Sequence, residues 1–247
     1  MILLLAATSV ETSFWRSALP RRPELPGGFY AFRGEVKGQE LVLVLTGVGK
    51  ANAASACTAA LMTYRPELVI NFGCAGAFPQ AELALGDLVL ATEEICGDEG
   101  VATRESFMDL EKLGLPLLEG QVPPLFNRLA LSKAWLSRAG SALSATCSRR
   151  RGQWRSGPVV TVSTGSGNRE DSDKIWHRTG ALCENMEGSA IALVCRRFGI
   201  DLVEIRGISN WTGDRDPAAW DLPVACSAAE EACNSLIAQI SRQEPSP

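Results

Sequence analysis

The sequence predicts an α/β fold in which helices cover both faces of a central mixed β-sheet, giving a three-layer α/β/α sandwich. Two observations carry this prediction. Short apolar runs alternate with helical patterns along the whole chain of 247 residues. Several of these runs are continuously apolar, which is typical of strands that are buried on both faces.

Glycine-rich turn signals separate the elements, and the order of strands and helices favours a mixed sheet. The predicted strands are Ile2–Ala7, Phe29–Val36, Leu41–Thr46, Leu68–Phe72, Asp87–Thr92, Val159–Ser163, Ala181–Met186 and Leu202–Ser209. The predicted helices are Glu11–Leu19, Lys50–Tyr64, Leu125–Ala145, Asp171–His177, Glu187–Phe198 and Val224–Ser241. In the helix predicted at Glu187–Phe198, apolar residues recur at the spacing of three and four that marks one helix face.

A single domain is predicted for residues 1–242, followed by a disordered tail at residues 243–247. The apolar start, Met1–Ala7, lacks a charged leading segment and is interpreted as a buried first strand rather than an export signal. Residues Glu93–Pro124 show weak periodicity and are predicted to be rich in loops, where a lid or a partner contact often lies.

Charge and composition exclude several classes of function. The 24 basic and 28 acidic residues give a net charge of −4, which argues against nucleic acid as a partner, and the basic cluster Arg149–Arg151 is interpreted as a solvated loop. No apolar run approaches the ~20 residues that cross a membrane. The eight cysteines contain no CxxC pair and are expected to be reduced, mostly buried thiols of a cytoplasmic protein. The single histidine, His177, argues against a His-based metal site.

Three glycine-containing loops are predicted to follow apolar strands, at Gly47–Lys50, Gly73–Gly76 and Ser163–Gly167. In an open α/β sheet, ligands bind at the carboxyl ends of the strands, and glycine lets backbone N–H groups approach them closely. A plain tight turn explains any one of these loops by itself. Three of them in one chain favour a small-molecule site.

Two carboxylates and one polar strand end add candidate chemistry. Glu11 follows the first strand at a predicted helix start, and Glu187 lies where a strand leads into a helix. Either residue has an alternative role as a helix-terminal acid. A carboxylate at Glu187 can also accept two hydrogen bonds from a vicinal diol such as a ribose. The segment Arg206–Trp211 ends the last predicted strand in polar groups, and Gly213–Asp216 after it is interpreted as a solvated turn.

Four ordered motifs carry a resemblance to a known family. Met186–Ala192 and Ile205–Asn210 resemble the paired motifs of the purine nucleoside phosphorylases and nucleosidases. Asn71–Ala77 with Gly86–Val89, and Gly47–Ala54, are similar to two further motifs of that family. The resemblance implies a nucleoside phosphorylase-like fold, a small nucleoside as substrate and no metal or organic cofactor. It also implies at least a homodimer, in which a loop of the partner closes the 5′ side of the site.

The resemblance favours hydrolysis over phosphorolysis. The phosphorylases place a phosphate-binding Arg where this chain has Asn71, and their early phosphate loop has no match here. The nucleosidases place a Glu at the position of Glu11, where it activates water. Attack by water needs such a general base, whereas phosphate arrives already ionised.

Asn210 bears on which base is released. Within the family, the segment Arg206–Asp216 looks most like that of the futalosine hydrolases, which remove hypoxanthine from futalosine. Relatives that cleave methylthioadenosine and S-adenosylhomocysteine carry Asp at the position of Asn210. An Asn amide donates to the O6 and N7 acceptors of hypoxanthine, which an ionised Asp would repel. Asn210 therefore favours a 6-oxopurine, since mispairing of the exocyclic group is strongly discriminated.

The resemblance also implies a role for each site residue. Glu11 deprotonates the attacking water, and Asn210 stabilises the negative charge that develops on the purine. Glu187 binds the ribose diol, and Met186 packs beneath the sugar. Arg206 and Ser209 support the site. The pockets for sugar and base are expected to be lined by Cys74, Ala75, Gly76, Gly167 and Asn168.

Some features depart from the family pattern. Cys74 replaces the usual Ser, and the loop around Gly165 lacks the aromatic residue that stacks on adenine in adenine-specific relatives. Trp211 is either an apolar wall of the base pocket or a core residue. Arg104, Arg215 or an Arg of a neighbouring subunit would meet a carboxylate on the substrate's 5′ side. Three alternatives stay open: a methylthioadenosine/S-adenosylhomocysteine nucleosidase, a purine nucleoside phosphorylase and a non-catalytic nucleoside-binding protein.

Overall fold

The computed structural model describes residues 1–213 and 216–241. The predictions for Arg215 and for the tail at residues 243–247 lie outside the described residues. Among the described residues, none of the helices is long and apolar enough to cross a membrane. All eight cysteines are free thiols, and all of them except the half-buried Cys74 are buried, as the sequence predicts.

The sheet is mixed, as the sequence predicts. Its strand order is β10-β9-β5-β11-β4-β1-β3-β2, with β8 added beside β5, and β6 and β7 form a separate hairpin. Strands β1, β3, β4 and β11 run parallel, whereas β2 and β8 pair antiparallel with their neighbours. The strands are β1 (Ile2–Ala6), β2 (Ala31–Val36), β3 (Gln39–Leu45), β4 (Leu68–Ala77), β5 (Leu88–Cys96), β6 (Gly100–Ala102), β7 (Phe107–Asp109), β8 (Arg128–Ala130), β9 (Trp154–Thr161), β10 (Cys183–Asn185) and β11 (Asp201–Trp211).

Two large hydrophobic clusters pack helices onto the sheet. The helices are α1 (Ser13–Ala18), α2 (Lys50–Tyr64), α3 (Leu110–Leu113), α4 (Lys133–Arg150), α5 (Arg169–Thr179), α6 (Gly188–Phe198) and α7 (Leu222–Ser241). One cluster contains residues of α2 and α6, and the other contains residues of α4 and α7. Leu3 and Leu5 of β1 belong to the first cluster, and Ile2, Leu4 and Ala6 belong to the second. This division explains why β1 is apolar at every position, because successive side chains point to opposite faces.

The helix predicted at Leu125–Ala145 is wrong in its first turns. Residues Arg128–Ala130 form β8 instead, and Leu129 of β8 is buried opposite Glu94 of β5. Asn127 holds the preceding backbone extended, because its amide donates to the carbonyls of Cys96 and Glu99 at 2.9 and 2.8 Å. The helix α4 begins only at Lys133 and continues to Arg150.

The basic cluster Arg149–Arg151 is therefore not a solvated loop. Arg149 and Arg150 form the last turn of α4, and Arg151 is its left-handed C-cap with φ 58°. Basic side chains at this position are stabilised by the negative end of the helix dipole. The region Glu93–Pro124, predicted to be rich in loops, also holds the end of β5, the β6–β7 hairpin and α3.

The predicted loop Gly73–Gly76 is instead part of β4, which continues to Ala77. Strands lie on both sides of this stretch, since Gly76 pairs with Glu184 of β10 and with Asn210 of β11. Likewise β11 extends to Trp211, past the predicted end at Ser209. The small residues of Gly73–Gly76 therefore belong to a strand that leaves space above the sheet, and they do not form a turn.

Candidate functional site

A cavity of about 370 Å³ opens at the carboxyl ends of β1, β4 and β11. Eight of the predicted site residues line it, namely Glu11, Cys74, Ala75, Gly76, Met186, Glu187, Ser209 and Asn210. Its apolar walls include Val10, Val48, Val162, Met186, Trp220 and Leu222. A concave, largely apolar pocket with a few convergent polar groups is the usual form of a small-molecule site.

Three of the predicted residues do not line this cavity. Asn168 caps α5, where its side chain accepts a hydrogen bond from the backbone N–H of Asp171 at 2.9 Å, and Gly167 precedes it outside the cavity. Gly165 contacts the cavity from that loop instead. Arg206 is only 2 % exposed and lies beneath the cavity rather than in its wall.

Glu11 is a buried carboxylate held by backbone donors. It lies in a short 3₁₀ turn after β1, where its Oε2 accepts from the backbone N–H and the hydroxyl of Thr8 at 2.8 and 3.0 Å. Its Oε1 accepts from the backbone N–H of Cys74 at 3.1 Å. A Cβ at Gly73 would lie under 3.0 Å from this Oε1, so any side chain at Gly73 would clash with the Glu11 carboxylate.

Glu187 reaches the cavity from the start of α6. It occupies the N-cap position, but its side chain makes no capping bond and accepts instead from the backbone N–H of Gly49 at 2.8 Å. The capping alternative is therefore wrong for this side chain. Burial raises the pKa of Glu187, and the positive charge of Arg206 acts against that rise. One oxygen is thus engaged by the backbone, and the group faces the cavity with acceptor capacity left.

Arg206 lies between the cavity and the buried carboxyl groups of Glu94 and Glu204. Its Nε donates to Glu204 Oε1 at 2.8 Å, and although burial opposes its charge, the carboxylates of Glu204 and Glu187 raise its pKa. Burial and the charge on Glu204 raise the pKa of Glu94 well above its usual range. A Cβ at Gly188 would come within 3.0 Å of both Glu94 and Glu204, so α6 begins directly on this pair.

Asn210 presents a hydrogen-bond donor to the cavity. A register shift in β11 between Ile208 and Asn210 lets Ser209 and Asn210, which are neighbours in the chain, both line the cavity. The Ser209 hydroxyl donates to Asn210 Oδ1 at 2.8 Å, and Asn210 Nδ2 donates to the backbone carbonyl of Trp211 at 3.1 Å, which leaves the amide one further N–H. This Nδ2 lies 3.0 Å from the position that a Cβ of Gly76 would occupy.

Glu184 and Trp220 are among the cavity residues that sequence reasoning missed. Glu184 of β10 lines it and is 8 % exposed, but it lies within a run that the sequence presents as a buried strand. Trp220 supplies the aromatic wall considered for Trp211, whose ring nitrogen instead donates to the carbonyl of Leu83 at 3.0 Å. An acidic residue inside an apolar strand was the available signal for Glu184, because unpaired burial of a carboxylate is costly.

Comparison with known proteins places the chain in a family. The family model described as "Phosphorylase superfamily" matches residues 2–242, and the chain belongs to that superfamily. The chain is 34 % identical over 239 residues to a futalosine hydrolase of Thermus thermophilus, covering 97 % of this chain and 96 % of the relative. It is 30 % identical over 223 residues to a 5′-methylthioadenosine/S-adenosylhomocysteine nucleosidase of Geobacillus thermodenitrificans, covering 88 % and 87 %.

Solved structures agree with this assignment. The 5′-methylthioadenosine/S-adenosylhomocysteine nucleosidase of Neisseria meningitidis, in complex with methylthio-immucillin-A, superposes with a TM-score of 0.81 at 25 % identity. The match covers 96 % of this chain and 98 % of that one. The fold is therefore that of the nucleosidases in this superfamily, and the relatives support an enzyme that hydrolyses N-glycosidic bonds.

Proposed function

We propose that this enzyme hydrolyses the N-glycosidic bond of futalosine, releasing hypoxanthine and dehypoxanthine futalosine, as a cytoplasmic step of menaquinone biosynthesis. The observation that carries the proposal is the amide of Asn210, which lines the cavity and keeps one N–H to donate, since Ser209 donates to its oxygen and its other N–H is bonded to the carbonyl of Trp211. A donor at this position suits the O6 and N7 acceptors of a 6-oxopurine. The similarity to the futalosine hydrolase of Thermus thermophilus supports the same choice.

In the proposed reaction, Glu11 takes a proton from water as the water oxygen bonds to the anomeric carbon. The bond from that carbon to the purine breaks, and its electron pair moves into the base, where the Asn210 amide stabilises the negative charge. The released base then takes a proton from solvent. The backbone donors of Thr8 and Cys74 fix the direction of the Glu11 carboxylate, so it needs no reorganisation to act as the base.

The sugar is held by the neighbouring groups. Glu187 accepts from the two ribose hydroxyls, and the Met186 side chain packs beneath the ring. Arg206 favours the charged form of the Glu187 carboxylate, because its buried positive charge opposes the rise in the pKa of Glu187 that burial causes. Cys74, Ala75 and Gly76 line the cavity along β4 and leave room for the nucleoside.

We propose further that the enzyme is a homo-oligomer. Arg104 lies between β6 and β7 and lines a second cavity, which shares Gly165 with the first. Val48 lines the mouth of the first cavity and is 52 % exposed, so an apolar surface is available there for a second copy. Sedimentation velocity of the purified enzyme tests this point, and a monomer at micromolar concentration would refute it.

Base release, followed by chromatography, tests the reaction. The purified enzyme is incubated with futalosine, methylthioadenosine and inosine, each with and without phosphate. We expect hypoxanthine from futalosine in the absence of phosphate. Adenine released preferentially from methylthioadenosine would instead assign the enzyme to the adenine-specific nucleosidases, and a requirement for phosphate would make it a phosphorylase.

A further inference from the structure

The N-terminal end of α2 carries a basic residue where an acidic one is usual. Lys50 is the first residue of this helix, and the helix dipole disfavours a positive charge there. Residues 50–53, the first turn of α2, include no acidic residue, and the N-cap Gly49 has no side chain with which to cap the helix. The charge of Lys50 is balanced by another part of the chain, because its ammonium donates to Asp98 and, at 3.0 Å, to Glu99.

The same helix end also holds Glu187. The backbone N–H of Gly49, directly before Lys50, donates to Glu187 Oε1 at 2.8 Å. The loop that carries this N–H takes its path from two glycines in the left-handed region, Gly47 with φ 82° and Gly49 with φ 92°. Glycine has the widest conformational freedom of any residue, so contacts of the neighbouring residues restrict this loop, and the ion pairs of Lys50 are among them.

Asp98 and Glu99 bind the same ammonium but are held differently. Asp98 Oδ2 accepts from the backbone N–H of Ser163 at 2.6 Å. This carboxylate therefore joins Lys50 to the loop at Ser163–Gly167, which borders the cavity. The side chain of Glu99 accepts no backbone N–H within the described part of the chain. Burial acts to raise the pKa of Asp98, but Lys50 and Ser163 lower it below its ordinary value, so Asp98 is charged at neutral pH.

We infer that Asp98 is a positioning residue for Glu187. Because the backbone of Ser163 fixes Asp98, the ion pair with Lys50 holds the helix end that presents the Gly49 N–H to the Glu187 carboxylate. Glu99 adds charge beside Lys50 without this second attachment. The inference rests on the proposed function in one respect, the binding of the ribose by Glu187, and it adds a residue that keeps Glu187 in place for that task.

Titration of Glu187 in the ligand-free enzyme tests the inference. Burial raises the pKa of Glu187, Arg206 and the Gly49 N–H lower it, and Glu11 raises it. The variant Asp98→Ala changes neither Arg206 nor Glu11. If the Gly49 bond is weakened, the pKa of Glu187 rises. If Asp98 acts only through its charge, the pKa of Glu187 falls or stays the same, because less negative charge faces it.

The carboxyl signal of Glu187 is followed by ¹³C NMR as the pH is raised, and the variant Glu187→Gln assigns it. We expect a higher pKa of Glu187 in Asp98→Ala than in the wild type. A lower or unchanged pKa would overturn the inference. Circular dichroism shows whether the variant is folded. If it is not, Asp98→Asn replaces it, since the amide oxygen can still accept from Ser163 while the ion pair with Lys50 is lost, and the same rise is expected.

The variant Glu99→Ala is the matched control. It removes one carboxylate from the same ammonium and leaves Asp98 bonded to Lys50 and Ser163. We expect the pKa of Glu187 to stay the same or to fall slightly in this variant. An equal rise in both variants would contradict the inference, because the charge around Lys50 and not the attachment through Asp98 would then position Glu187.

Kinetics give a second result and separate this inference from the proposed function. In Asp98→Ala we expect KM for the cleaved nucleoside to rise about 3- to 10-fold, with a smaller change in kcat, since one hydrogen bond to Glu187 is weakened. Cleavage of methylthioadenosine in preference to futalosine by the wild type would refute the proposed substrate and leave Asp98 standing, because the titration needs no substrate. Release of hypoxanthine from futalosine, with no rise in the pKa of Glu187 in Asp98→Ala, would refute only the role of Asp98.

Discussion

The two ends of the cavity are held in different ways. At the hydrolytic end, which comprises Glu11, Glu187 and Arg206, backbone N–H groups of Thr8, Cys74 and Gly49 hold the two carboxylates. At the base end, which comprises Glu184 and Asn210, Ser166 holds Glu184 through its backbone N–H and its hydroxyl, whereas the oxygen of Asn210 accepts from the Ser209 hydroxyl. Backbone donors are set by the path of the chain, whereas a side chain changes with one substitution. The fold therefore fixes the carboxylates of the cavity more firmly than it fixes the amide of Asn210, which bears on the choice of base.

The largest effect is expected at the hydrolytic end, from Glu11→Gln. The amide cannot take a proton from water, so we expect turnover of futalosine to fall by about 10²- to 10⁴-fold. Hypoxanthine affinity should be unchanged, because the base end is intact. Steady-state kinetics and calorimetry check both points, with circular dichroism as the control for folding. Near-normal turnover would remove Glu11 from the mechanism.

Glu187→Gln should have the next largest effect. The neutral amide resembles a protonated Glu187, and we expect kcat/KM to fall by roughly 10²-fold through lost binding of the ribose diol. Because burial raises the pKa of Glu187, the wild type should lose activity as the pH falls through a range above the ordinary value of about 4.3. The variant should lack this acid limb. A wild-type limb that survives in the variant would assign the titration to another group.

Much of the hydrolytic end could be predicted from the sequence, because Glu11 and Glu187 each lie beside a recognisable junction of strand and helix. Glu11 follows β1 and Glu187 precedes α6, and the backbone donors come with those junctions. The pairing of Glu184 and of Asn210 with Gly76 at the base end could not be predicted. It depends on β4 being flanked by β10 and β11, which are more than a hundred residues away in the chain. Without that pairing, Gly73–Gly76 has the composition of a turn.

The stretch before α4 also depends on distant pairing that the sequence does not reveal. Leu125–Ala145 has enough helical character to predict one helix. Instead, β8 forms because residues Glu93–Ile95 of β5 pair with it, and because Asn127 donates to the carbonyls of Cys96 and Glu99. Tertiary pairing overrides local propensity in such segments. Strands that are buried on both faces, such as β1, were predictable because burial alone determines their sequence.

At the base end, Asn210→Asp should change selectivity more than turnover. The carboxylate repels O6 when ionised, and when protonated it donates to N7 and accepts from an adenine amino group. We expect the ratio of futalosine to methylthioadenosine cleavage to fall by about 10- to 100-fold, as measured from kcat/KM with each substrate. A single variant with the wild-type ratio would refute the pairing argument for Asn210.

The smallest effect on activity is expected from Glu94→Gln, behind the hydrolytic end. Glu94 Oε1 accepts from Asn185 Nδ2 at 2.8 Å, and Asn185 Oδ1 accepts from the backbone N–H of Glu187 at 2.9 Å. Burial and the neighbouring Glu204 raise the pKa of Glu94 well above its usual range, which favours its neutral form, and Gln is the nearest neutral replacement. We therefore expect turnover within about threefold of the wild type, since a well-matched neutral exchange leaves the network largely intact.

The effect of Glu94→Gln on stability should depend on pH. The unfolded chain releases the Glu94 proton near pH ~4.3, whereas the folded protein keeps it to higher pH. The stability that this proton contributes is complete below about pH 4.3 and is lost as pH rises towards the folded pKa. Gln does not titrate, so the variant should gain on the wild type by up to about 1.4 kcal/mol per pH unit across that range. Urea unfolding between pH 5 and about pH 8 measures the difference.

A constant difference between Glu94→Gln and the wild type at every pH would mean that Glu94 ionises normally in the folded protein. A negative charge on Glu94 would then offset part of the effect of Arg206 on Glu187. The hydrolytic end would depend on the buried Glu94 and Glu204 as directly as it depends on the backbone donors.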